Sequence, residues 1–294
     1  MTTRLSLEFW CEDASRVEGI HRAVFDEFDR IDVLMSRYRE SSELSKLNRQ
    51  AAHSPQQVSP ELFLVLKRAQ DISRLSHGAF DITFASTGYL YDFRRKRQPT
   101  MQELARQSRV SHRDLILEPE SYRVTFAKPD IIVDLGGIAK GYAVERGVDI
   151  LKQAGVQNAR LSAGGDLRLL GDKRGKPWIV GVKDPRLADE HAVVLPLSDA
   201  AISTSGDYER FFINENGERV HHILSPVTGR PVEGIQSVTI IGNDAMTTDG
   251  LSTAVFVLGV EQGLAMVESL EGVDAIIIDS ERRMHYSKGL MSPR

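Results

Sequence analysis

The sequence predicts an α+β protein built on mainly antiparallel sheet with helices packed against it. Three observations carry that expectation. Candidate strands follow one another as hairpins as often as they alternate with helices. Several helices carry a single apolar stripe at steps of three and four, the pattern of a helix lying on a core. No repeat and no low-complexity linker divides the 294 residues. With 41% hydrophobic and 27% charged residues, the chain is neither disordered, collagen-like nor a coiled coil.

The elements follow in order. Leu5, Leu7 and Phe9 alternate with Arg4, Ser6 and Glu8, the period of a half-buried strand over 3–10. Val17, Ile20, Val24, Phe28, Ile31 and Leu34 then form the stripe of a helix of about six turns, with Asp13 at its start. Residues 39–46 read as a polar connection. Ser59-Pro60-Glu61 opens a second helix with an N-cap, a first-turn proline and an acid at the positive dipole end. Leu62, Val65, Leu66, Ala69, Ile72 and Leu75 are its stripe, and Gly78 ends it. Five aromatics crowd 79–93, a basic loop occupies 94–99, and Thr100 caps a short helix.

Strands are expected at 122–126 and 131–134, then a helix over 138–154 closed by Gly155. Further strands are expected at 158–163, 177–182, 193–197, 208–213 and 219–224, the last two joined by an Asn216-Gly217 turn. A strand at 236–242, helices at 246–258 and 261–270, and a buried strand at 274–279 complete the chain.

Composition removes several function classes. A net charge of −4 argues against a general nucleic-acid footprint. The single cysteine, Cys11, allows neither an internal disulfide nor a cysteine-based zinc site. No uninterrupted apolar run approaches the length of about 18 residues that marks a membrane span. The N-terminus carries no apolar signal segment, so a cytoplasmic location is expected, or a periplasmic one if a leader has been trimmed.

Five segments could carry chemistry. Val133–Gly141 runs from a strand through Gly136-Gly137 into a helix whose first turn holds Lys140. Such a turn offers backbone N–H groups to an anion, and a cation placed against its own helix dipole suits an anionic ligand. It is equally an ordinary tight turn. Ser162–Asp166 repeats the Gly-Gly theme, and Asp166 there is either a site residue or a solvated turn residue. On a helix, Asp249, Ser252 and Thr253 share one face and offer three oxygens to a hard cation such as Mg²⁺. The alternative is that the hydroxyls bond back to helix carbonyls. His221-His222 ends a strand before a Pro/Gly turn and could supply a general base, or merely a strand face. Ser203–Tyr208 is a hydroxyl-rich loop open to phosphate binding or to a plain turn.

Taken together and in this order, these segments resemble the ApbE family of FAD:protein FMN transferases. The resemblance rests on MSRYRESSELSKLN (35–48), GAFDIT (78–83), DLGGIAKGYA (134–143), SAGGDLR (162–168), TSGDY (204–208), HILSPVTGRPV (222–232) and AMTTDGLSTA (245–254), and so covers nearly the whole chain. It implies one integrated, T-fold-related α+β domain over 1–294, undivided or of two sublobes around one FAD cleft.

It also implies Mg²⁺-dependent transfer of FMN from FAD to a threonine, or occasionally serine, hydroxyl of an acceptor protein, with release of AMP. The acceptor class it suggests is a subunit of a redox-driven ion pump or a flavinylated reductase. Carried over by position, Met1, Tyr38, Ala79, Phe80, Asp81, Asp134, Lys140 and Ile223 contact FAD. Gly137, through its carbonyl, joins Asp249, Ser252 and Thr253 around Mg²⁺, and His222 is the general base. Two departures bear on the site. Ser225 stands where the family usually has aspartate before the proline, which slows transfer if that aspartate orients the loop or the base. Residues 86–93 differ from the tryptophan-containing form of the family. An FAD pyrophosphatase, with water as acceptor, and a non-catalytic FAD-binding protein are the alternative readings.

Overall fold

The computed structural model describes residues 3–107, 110–187 and 189–291. Met1, one of the expected FAD contacts, lies outside the described residues. In chain order the first half contains β1 (Leu5–Phe9), α1 (Val17–Met35), α2 (Glu43–Gln50), β2 (Gln56–Gln57), α3 (Pro60–Leu75), α4 (Ala85–Gly88), α5 (Met101–Ala105), β3 (Leu115–Glu118), β4 (Arg123–Phe126) and α6 (Ala139–Gln153). The second half contains β5 (Ala159–Ala163), β6 (Asp166–Leu170), β7 (Trp178–Lys183), β8 (His191–Leu197), β9 (Ala201–Gly206), β10 (Phe211–Ile213), β11 (Arg219–His221), β12 (Ile235–Gly242), α7 (Ala245–Glu268), β13 (Asp274–Asp279), β14 (Met284–Tyr286) and α8 (Lys288–Met291).

Seven strands form one sheet in the order β1-β5-β6-β9-β12-β13-β14, and every neighbouring pair is antiparallel. The expected α+β architecture with antiparallel sheet is therefore what the chain forms. Strand alternation divides the residues between two faces. Val238 and Ile240 of β12 join the main core under α1, α6 and α7, while Ile241 faces a second core with Leu167, Leu169 and Trp178. The β7–β8 hairpin covers that second face. The stripe on α1 buries Ile20, Val24, Phe28, Ile31 and Met35. Each such side chain contributes about 1.5–3 kcal/mol when fully buried.

The structure corrects the sequence reading in several places. The polar stretch 39–46 ends in α2, which Ser42 caps by accepting from the Ser45 N–H at 2.9 Å. Two turns with only Leu44, Ser45 and Leu47 buried leave too short a stripe to see. Residues 131–134 form no sheet strand. The backbone groups of Val133 go instead to the Asn48 side chain, which donates to its carbonyl at 2.9 Å and accepts from its N–H at 2.8 Å, and the Asp134 N–H donates to the Ile82 carbonyl. Ile132 adds a single bridge to Phe84. β4 pairs with β3 and β2. The hydroxyl-rich segment at 203–207 is mainly strand, not loop, because β9 occupies the middle of the sheet.

α7 is long and apolar enough to cross a membrane by length and composition alone. It is a core helix, packed on β9, β12 and α6. Gly259, at φ +80° and ψ −173°, interrupts its helical geometry, so the two helices expected at 246–258 and 261–270 meet there.

Candidate active site

The site is built where the first turns of α6 and α7 cross. Glu145 of α6 accepts from the Ala245 N–H at 2.6 Å, and Asp249 of α7 accepts from the Gly141 N–H at 3.0 Å. Each helix thus satisfies a first-turn amide of the other with a carboxylate. Gly141 permits the crossing: a Cβ there would lie 2.1 Å from the Ala245 carbonyl oxygen.

Lys140 lies between two carboxylates. Its ammonium pairs with Asp166 of β6 and, at 3.2 Å, with Asp249 Oδ1. Burial opposes its charge, but Asp249 and Asp166 outweigh that, and its pKa is raised. Asp249 is pushed up to about 7, first by burial and then by the Asp166 carboxylate, against the pull of Lys140. Two carboxylates against one ammonium leave one negative charge in excess when both are ionised. Close carboxylates under-neutralised in this way favour either a proton or a second cation.

Hydroxyls line the next turn of α7. Ser252 donates to the Asp249 carbonyl at 2.9 Å, as the back-bonding alternative anticipated. Its oxygen also lies 2.8 Å from Ser205 Oγ, which is 3.3 Å from Thr253 Oγ1. Gly137 abuts this row: a Cβ on it would be 3.1 Å from the Phe80 ring and 3.5 Å from Thr253 Oγ1. The fold therefore brings Gly137, Lys140, Asp249, Ser252, Thr253 and Phe80 to one place. It adds Asp166 and Ser205, which the sequence had marked only as ambiguous turn residues. All donors to a cation here would be oxygens, and no cluster of three His, Cys, Asp or Glu side chains exists among the described residues. That set suits a hard cation that keeps several waters.

The two histidines have opposite surroundings. His221 is buried, donates from Nε2 to the Val232 carbonyl at 2.9 Å and accepts from the Ile223 N–H at Nδ1. His222 is exposed, and its Nδ1 lies 3.3 Å from the Arg210 carbonyl oxygen. A carbonyl only accepts, so Nδ1 carries the proton and Nε2 keeps its lone pair in the neutral ring. Surrounding protein, then the nearby charges of His221, Arg210 and Lys140, hold the His222 pKa below its ordinary value. Lys140 is likewise about a third exposed (31%) although surrounded by protein. A side chain crowded yet wet is what the floor of an open cleft produces. Ile223, whose N–H meets His221 Nδ1, is buried.

Tyr38 and Asp134 belong to a second group. The Arg37 guanidinium lies 4.4 Å from the Tyr38 ring centre, 4.3 Å from that of Tyr89, and its Nε is 2.8 Å from Asp134 Oδ2. Asp134 Oδ1 accepts from the Gly136 N–H at 2.9 Å, which ties this group to the Gly136-Gly137 turn. The sequence named Tyr38 and Asp134 but not Arg37 or Tyr89; the local excess of aromatics at 79–93 was the available signal for Tyr89. Ala79 sits beside Phe80 in a turn held by Ser76. Asp81 hydrogen-bonds to neither group: its oxygens accept from Thr83 and from the His112 N–H. Ser225 closes its own turn, with its Oγ accepting from the Thr228 N–H at 3.4 Å and its N–H donating to the Arg230 carbonyl. An aspartate could orient this loop in the same way, so the turn survives the substitution.

A cavity of about 600 Å³ bounded by Tyr91, Thr100, Leu104, Arg219, Arg230 and Pro231 shares no residue with either group.

The profile of the ApbE family matches residues 1–277. The FAD:protein FMN transferase of Haemophilus influenzae is 34% identical over 263 residues, covering 85% of this chain and 76% of that one. The enzyme of the same name from Vibrio cholerae is 35% identical over 250 residues, covering 82% and 74%. Among solved structures, the ApbE protein of Thermotoga maritima superposes with a TM-score of 0.87 at 32% identity, covering 99% of this chain and 98% of that one. The flavin transferase ApbE of Vibrio cholerae superposes with a TM-score of 0.88 at 30% identity, covering 99% and 96%.

Proposed function

The chain belongs to the ApbE family, and from that premise we propose that it is an enzyme that transfers FMN from FAD to a threonine or serine hydroxyl of an acceptor protein, releasing AMP. The observation that carries the reading is the convergence of Lys140, Asp166 and Asp249 at the crossing of α6 and α7, with the Ser252 and Thr253 hydroxyls beside them.

Asp249, the hydroxyls of Ser252 and Thr253 and the Gly137 carbonyl would hold Mg²⁺. The ion supplies positive charge against the charge that develops on transferring phosphate oxygens. Lys140 adds a fixed ammonium to the same place. His222 Nε2 takes the proton of the acceptor hydroxyl as its oxygen bonds to the FMN-side phosphorus. The anhydride P–O bond breaks, and AMP carries away the bonding pair. The Arg210 carbonyl keeps the imidazole in the tautomer that can accept that proton. Tyr38 and Tyr89 offer aromatic surface for the flavin ring. The acceptor class we favour is a subunit of a redox-driven ion pump or a flavinylated reductase.

The test is incubation with FAD, Mg²⁺ and candidate acceptor domains, followed by intact mass. A gain of one FMN on the acceptor supports the reading. AMP and free FMN formed at full rate without any acceptor point to hydrolysis instead, and FAD left intact throughout sinks both.

His222→Ala is expected to slow transfer about 10²–10⁴-fold, the usual worth of a positioned base, with little change in FAD affinity. At saturating Mg²⁺ the wild-type rate should fall only as pH drops below the ordinary histidine value of 6.5, because His222 is held neutral down to lower pH than a free imidazole. That acid limb should vanish from the residual rate of the alanine variant. A wild-type rate in the variant moves the base elsewhere.

A further inference from the structure

Arg37 has a donor that the fold leaves without an acceptor. Its Nη1 is buried and has no hydrogen-bond partner among the described residues. Nε meets Asp134 as an ion pair, without hydrogen-bond geometry, and Nη2 donates to the Tyr38 hydroxyl. The side chain is only 14% exposed, so water does not readily replace the missing acceptor. A buried cationic donor without an acceptor is costly. The Tyr38 and Tyr89 rings lie beside the guanidinium, 4.4 and 4.3 Å from its central carbon, and supply it with no acceptor oxygen for Nη1. The same residue is tethered through Asp134 to the Gly136-Gly137 turn, next to the hydroxyl row of α7.

We infer that Arg37 is a ligand-binding residue whose Nη1 donates to an oxygen of FAD, filling the bond that is missing in the free protein. Tyr38 and Tyr89 hold the guanidinium in place, and Asp134 fixes its edge. Lysine cannot substitute, because it would keep the charge beside Asp134 but lack the planar fork. The inference rests on the FAD reading above. The oxygen belongs either to a carbonyl of the flavin ring or to a phosphate, and the two sources separate experimentally.

Direct binding decides the matter without turnover. FAD, riboflavin and ADP are titrated against the wild-type chain, Arg37→Lys and Arg37→Gln by calorimetry, with thermal unfolding as a control on folding. Both variants should keep the wild-type unfolding temperature and bind FAD about 10–100-fold more weakly, the worth of a hydrogen bond from a charged group. If the acceptor is a ring carbonyl, the absorbance maxima of bound FAD should also shift, which neither a phosphate contact nor a purely structural role would produce. A loss repeated with riboflavin assigns the ring carbonyl, and a loss repeated only with ADP assigns the phosphate. If either folded variant binds FAD within about twofold of wild type, the inference is overturned while the FAD reading stands. If the wild-type chain itself binds no FAD, both fall.

Discussion

Asp249→Asn is expected to lower Mg²⁺-dependent transfer about 10³-fold, the several kcal/mol that a bound cation contributes at a phosphoryl centre. Asparagine keeps the shape and can still accept from the Gly141 N–H, so the helix crossing should hold and FAD should still bind. The charge is what is lost. The sign of the accompanying proton linkage can be worked out. The Asp249 pKa is raised to about 7 by burial and by Asp166, so near neutrality the carboxyl is partly protonated in the absence of metal. A cation must displace that proton. Mg²⁺ affinity should therefore rise from pH 6 to pH 8, and calorimetry in buffers of different ionisation enthalpy should register proton release. Affinity independent of pH, or full activity in Asp249→Asn, would remove Asp249 from the ligand set.

The second large effect comes from a residue with no functional group. Gly141→Ala places a methyl 2.1 Å from the Ala245 carbonyl oxygen and 2.8 Å from the Asp249 Cβ, and the first of these obstacles is backbone. The helices must separate by an ångström or so, at about 1–3 kcal/mol or more for overpacking. A chain of this size should lose roughly 2–4 °C of unfolding temperature per kcal/mol. The loss of function should be larger than the loss of stability, because separation pulls Asp249 from Lys140 and from the Gly141 N–H together. Gly147→Ala is the comparison. A Cβ there would meet the Leu161 side chain at 2.5 Å, and a side chain can turn away where a carbonyl cannot. That variant should unfold a few degrees lower and transfer normally. Equal activity in the two variants would mean the crossing does not set the site.

What could be read in the sequence follows from where each backbone group finds its partner. α1, α3 and α6 satisfy their own hydrogen bonds and bury a periodic stripe, so pattern alone reveals them. Residues 131–134 have strand chemistry, but their partner is the side chain of Asn48, eighty-five positions away from Val133, and nothing local announces that. β9 was misread for a related reason. Its hydroxyls look like a loop until they are paired across the fold: Ser203 with Thr248, Thr204 with Thr239, and Ser205 with Ser252 and Thr253. The site was legible as motifs, and Lys140, Gly137 and the α7 oxygens do converge. Its electrostatics were not, because the excess carboxylate, Asp166, comes from a strand that read as a turn. Arg37 was invisible, since an arginine in a polar stretch gives no hint of two rings closing on it.

The hairpin of β10 and β11 decides which histidine faces solvent. Phe211 lies opposite His221 and Ile213 opposite Arg219, across the short connection at 214–218. β11 ends at His221 with that imidazole committed to the interior, and the next position, His222, faces solvent. Lengthening or shortening that connection by a single residue would exchange their stations. The ring that bonds Val232 would turn outward, and His222 would be driven toward Phe256. Which imidazole is offered to solvent is thus encoded less in either histidine than in the count of residues between the two strands, a reading frame set at the level of the folded chain.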